Sequence, residues 1–180
     1  MLFRSIAAAY LGRPVSIRQT LLQINDPGDD FNRRKFADVG LPDPSTNYMH
    51  VDTANGTLKC AIYLSDVTDD NGPFGYVRGS NRLRVGYLEG LVRRATDRAG
   101  LSGYDPQTRR AFSALPALLR HKCTFGSDIL DGSREAEELV AAEYRFTSAD
   151  GNVAIFDNLG IHRGALVVEG ERVALFALLA

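Results

Sequence analysis

The feature that most restricts this chain is a change of period that happens twice. Between Tyr48 and Val77 the sequence reads in twos, with Leu58, Cys60, Ile62 and Leu64 set against Lys59, Ala61, Tyr63 and Ser65. That alternation sends successive side chains to opposite faces of a strand. The same texture returns over Ala142–Phe146, Val153–Phe156, Ile161–Val168 and Arg172–Leu179. Between the two blocks the spacing is helical, with Leu88, Leu91 and Val92, then Phe112, Leu115, Leu118 and Leu119, split at Gly100–Pro106. Ser133–Ala142 reads as a further short helix with Ser133 as its cap. Strand blocks at 48–83 and 142–180 around a helical insert at 84–141 predict a mainly β protein. The expected architecture is an antiparallel jelly roll or barrel with helices packed outside.

The remaining segments are read with the same rules. Residues 3–24 are expected to be helical with a break at Arg13-Pro14, and 25–45 to be irregular around Pro27-Gly28 and Pro42-Asp43-Pro44. Asp69 to Pro73 has turn composition and predicts a hairpin into Phe74–Val77, with further turns at Asp150-Gly151-Asn152 and Glu169-Gly170. With 180 residues, 44% of them hydrophobic, the chain suffices for one core. A single domain over 1–180 is the expectation, with 1–47 as its N-terminal region.

Twenty-one basic against 22 acidic residues leave a net charge of -1, which offers no electrostatic footprint for nucleic acid or an anionic membrane. No apolar run approaches the ~20 residues needed to cross a bilayer. Cys60 and Cys123 are far apart and in no metal-ligand spacing, so a reducing cytoplasm is expected and a disulfide is not.

Three histidines carry the chemistry to be weighed. In Tyr48-Met49-His50-Val51-Asp52 a strand puts His50 and Asp52 on one face, with Tyr48 beside them. Such a pair alone is more often a solvated contact than a metal site, and it needs a third ligand. His162 supplies one from the far side of the insert. Two histidines and a carboxylate form the facial triad of non-haem iron(II) oxygenases, which leaves positions open for a cosubstrate and dioxygen. Ten residues later, Arg172 heads the last strand, where a guanidinium can hold the distal carboxylate of 2-oxoglutarate bidentately. Arg163 competes for that role, but a regular strand points it away from His162. Lys59 lies opposite the apolar stripe and faces either solvent or a bound acid. His121, in a cationic helix end, is explained by the helix dipole, and Cys60 by burial. Asp157 and Asn158 contact substrate or tie down a loop.

Read together, His50-x-Asp52, Ile62-Tyr63-Leu64-Ser65-Asp66-Val67, Asn71-Gly72-Pro73-Phe74, Tyr76-Val77-Arg78-Gly79-Ser80-Asn81, and Asp157 to His162 with Arg172 resemble the phytanoyl-CoA dioxygenase family over residues 45–180. The resemblance implies a double-stranded β-helix, Fe(2+) held by His50, Asp52 and His162, and 2-oxoglutarate anchored by Arg172. Tyr48 and Lys59 join Arg172 as candidate cosubstrate contacts. It further implies O2 as oxidant and hydroxylation of a small organic substrate, since Asp52 fills the position that halogenating relatives keep open for chloride. Some members have a histidine where this chain has Asn81, a position that is not a ligand. Members also carry a longer N-terminal region, so the resemblance implies a truncated start. The rivals are a non-catalytic or differently metallated small-molecule-binding jelly roll and a zinc hydrolase.

Overall fold

Two antiparallel sheets of four and three strands face each other in the computed structural model, which describes residues 2–28, 49, 57–82 and 134–180. In chain order the elements are helix α1 (Leu2–Leu11), strands β1 (Ile17–Asn25), β2 (Leu58–Tyr63) and β3 (Phe74–Val77), helix α2 (Arg134–Ala142), and strands β4 (Glu143–Phe146), β5 (Val153–Asp157), β6 (His162–Gly164) and β7 (Arg172–Leu179). The larger sheet runs β1-β7-β2-β5 and the smaller β4-β3-β6, every pairing antiparallel. This is the jelly roll the strand blocks predict.

The apolar runs of β2 and β7 follow from burial on both faces. On the outer face of the larger sheet, Leu58, Cys60, Ala177 and Leu179 pack under α1 through Ala7. On the inner face Ala61, Tyr63, Ala174 and Phe156 meet Phe74 of the smaller sheet. The reduced Cys60 is buried in the first of these layers, and burial pushes its thiol pKa up. No helix among the described residues is long and apolar enough to cross a membrane.

Three expectations are corrected. Residues 17–25 form a strand, not the second half of a helix. Pro14 ends α1, and Ile17 to Asn25 then pair along β7 from Leu179 to Arg172, a long-range ladder that outweighs a weak local pattern. Nor do Asp69 to Pro73 close a hairpin, because β2 and β3 lie in different sheets. The segment between them is an arch tied at both ends. Asn71 accepts from the Thr68 amide and donates to the Asp66 and Glu171 carbonyls, and Tyr63 Oη bridges the Phe74 amide and the Phe146 carbonyl. The strand expected over 161–168 is shorter, His162–Gly164, with an isolated bridge at Asn71 and Val167. Of the predicted insert, only its end lies among the described residues, as α2.

Candidate active site

The register of the larger sheet decides which side chains look inward. Asn25 pairs with Arg172, and Lys59 with Leu178, on the same face as Ala61, Tyr63 and Ala174. Asn25, Lys59, Tyr63, Arg172 and Leu178, together with His162 of the facing sheet, line a cavity of about 360 Å³. Lys59 therefore borders the cavity, the inward alternative of its two readings. The apolar stripe opposite it is the face covered by α1.

Arg172 is 4% exposed. Its Nη1 donates to the Gly72 carbonyl and its Nη2 to Asn25 Oδ1 at 2.7 Å, while Nε is buried with no hydrogen-bond partner. No carboxylate pairs with it among the described residues. Burial pulls the guanidinium below its usual pKa, with a smaller opposing effect from the neighbouring Tyr63. A buried cation held only by neutral acceptors is costly until an anion arrives. Gly72 can present its carbonyl because it has φ +78, and a Cβ there would meet the Ala165 carbonyl at 2.6 Å. Gly164 lets the guanidinium lie against the β6 backbone, where a Cβ would be 3.0 Å from Nη1.

Arg163 is otherwise engaged. It points to the other face of β6, where it forms a two-pronged ion pair with Glu143 across Gly75. Of the two arginines, Arg163 is thus the one that pairs with a carboxylate among the described residues.

His162 is 4% exposed and flanked by Phe156 and Phe74, with ring centroids 5.0 and 6.1 Å away. Its Nδ1 lies 2.8 Å from the Gly160 carbonyl. That contact selects the tautomer with the proton on Nδ1 and leaves the lone pair on Nε2, the arrangement typical of a metal-binding imidazole. The turn before it is fixed from several elements. Asp157 accepts from Tyr10 of α1 at 2.7 Å and from the Leu159 amide at 2.9 Å. Asn158 donates to Thr57 Oγ1 at 2.8 Å, and Ser80 Oγ accepts from the Ile161 amide at 2.7 Å. The Tyr76 hydroxyl donates to the Asp157 carbonyl and packs on Gly160, where a Cβ would collide with it. Burial, and then the charge of Asp157, push Tyr76 up to about 12.

Through these contacts Asp157 and Asn158 tie down the loop. Asn81 joins them by donating to Tyr10 Oη at 3.0 Å. Ser80 is a buried strut between β3 and the segment leading to His162. The sequence assigns no role to Asn25, which no motif marks, or to Gly160, which lies unremarked inside the run Asp157 to His162. Among the predicted site residues, the structure brings His162, Arg172 and Lys59 to one cavity. Tyr48, His50 and Asp52, like His121 and Cys123, lie outside the described residues. Met49 is described, and it is buried in contact with Val77 and Ile161.

No family model and no curated protein matches the chain. Solved structures do. A non-heme alpha ketoglutarate dependent carbocyclase from nogalamycin biosynthesis, SnoK, aligns with a TM-score of 0.53 and 14% identity over 98% of this chain and 55% of its own. The epimerase SnoN, in complex with Fe3+, alpha ketoglutarate and nogalamycin RO, aligns with a TM-score of 0.52 and 12% identity over 98% of this chain and 54% of its own. The chain spans about half the length of these structures. What it shares with them is the fold, the jelly roll of two non-heme, alpha-ketoglutarate-dependent enzymes.

Proposed function

We propose that this chain is an iron(II)- and 2-oxoglutarate-dependent oxygenase of the phytanoyl-CoA dioxygenase type that hydroxylates a small organic substrate. The observation that carries the reading is one cavity bordered by a buried imidazole with its Nε2 lone pair selected and a buried arginine without a carboxylate partner among the described residues. A carboxylate at Arg172 and a metal ion at His162 are the ligands this pair of groups favours.

Met49 supports His50 as the second donor. Met49 shares a buried cluster with Val77 and Ile161, and Met49 and Ile161 directly precede His50 and His162 in the sequence. With Asp52 the two histidines form the proposed metal set. When bound, ferrous iron supplies the dioxygen chemistry that couples decarboxylation of 2-oxoglutarate, with release of succinate and CO2, to oxidation of a substrate carbon.

The chain's own residues bind, orient and shield. Arg172 and Lys59 hold the acid, and Gly72 and Asn25 hold Arg172. The Gly160 carbonyl keeps the His162 proton on Nδ1. Phe74 and Phe156, 4.3 Å apart at their ring centroids, form an apolar wall that limits water beside His162.

Aerobic incubation with iron(II) and 2-oxoglutarate tests the reading. Slow succinate formation without added substrate is expected of the wild type, and its loss in His50→Ala and in His162→Ala. A binding module or a zinc hydrolase forms no succinate in any of the three, and that result would retire the proposal.

A further inference from the structure

The two arginines beside this cavity are treated in opposite ways. Arg163, with its side chain 11% exposed, has a carboxylate, Glu143, whose side chain is 4% exposed. Arg172, more deeply buried, has a backbone carbonyl and the amide oxygen of Asn25. Asn25 ends β1, 8% exposed, on the inner face opposite Arg172. An aspartate is the same shape, and its carboxylate would fall where the amide oxygen now meets Nη2 at 2.7 Å.

We infer that Asn25 is a specificity-determining residue: by accepting from Arg172 without neutralising it, it keeps that end of the cavity cationic and reserves it for the carboxylate of an incoming dicarboxylic acid. The inference rests on the proposed role of Arg172 and adds the device that keeps this role open. Among the other charged groups described at the cavity, Lys59 is a second cation and Arg163 is paired with Glu143, while the Asp26 carboxylate accepts from the Gly28 amide. A residue chosen for stability alone at position 25 would be the aspartate, because a carboxylate compensates a buried guanidinium better than an amide does. The amide trades stability for binding, as functional sites commonly do.

The two effects of one substitution therefore have opposite signs. Asn25→Asp is expected to raise the melting temperature of the chain and to weaken 2-oxoglutarate binding by more than about tenfold, read by calorimetric titration. Asn25→Thr, a neutral acceptor suited to a strand, is expected to bind within about threefold of wild type. Glutarate, which lacks the keto group that chelates a metal, should follow the same order and so report on the arginine end alone. Wild-type binding in Asn25→Asp would overturn the inference, as would a fall in its melting temperature or an equal loss in Asn25→Thr. Arg172→Gln separates the layers. If it binds 2-oxoglutarate as the wild type does, the role of Arg172 fails and the inference with it. If it loses binding while Asn25→Asp keeps it, only the inference fails.

Discussion

Arg172 shows how much of the site a single residue's context carries. Its distance from His162 and its place at the head of a strand-patterned run are written in the sequence, and the structure brings both to one cavity. Its partners are not written there. Asn25 is 147 residues away, in a stretch whose strand character was not legible, and Gly72 contributes a carbonyl, which every residue has. Gly164 gives a direct test at this scale. A side chain there would press on Nη1 and Nη2 from 3.0 and 3.1 Å, an overpacking that costs about 1–3 kcal/mol when the displaced group is held. Gly164→Val is expected to raise the KM for 2-oxoglutarate by about tenfold with a smaller effect on kcat. Steady-state kinetics over a range of 2-oxoglutarate concentrations measures it, and a kcat loss at unchanged KM would contradict the placement.

Elements were legible where the pattern is local and misread where the partner is distant. β2 and β7 announce themselves by alternation and by apolar continuity, and α2 by its spacing. β1 does not, because it is an edge strand whose Leu22 and Ile24 are 56% and 59% exposed. Its pairing with β7 closes a loop of well over a hundred residues that no local window sees. The arch from β2 to β3 was misread for a related reason. Turn composition announces a bend, but it does not say which strand the chain joins next. The smaller sheet carries a testable device of its own, the Arg163–Glu143 pair spanning β6 and β4 over Gly75. Glu143→Gln leaves a buried guanidinium without its counter-charge and is expected to destabilise the fold by about 3–5 kcal/mol in chemical denaturation. A change under about 1 kcal/mol would mean that the pair is as weak as an exposed one.

At the scale of the whole molecule, one layered arrangement explains both the fold and the location of the site. The larger sheet is covered outside by α1 and inside by the smaller sheet. Its polar inward residues, Asn25, Lys59 and Arg172, are gathered at the unfilled part of that interior. Composition and strand blocks made the jelly roll readable. The proposed metal set was readable from the residue types of His50, Asp52 and His162 together with the resemblance, because its members come from distant parts of the chain and none is diagnostic alone. The most direct measurement is a crystal structure of the chain grown anaerobically with 2-oxoglutarate and manganese(II), a redox-quiet stand-in for ferrous iron. The account predicts one metal ion bonded to His50, Asp52 and His162 Nε2 and chelated by 2-oxoglutarate, with the far carboxylate of that acid on Arg172. A metal ion bound without His162, or a dicarboxylate seated away from Arg172, would contradict it.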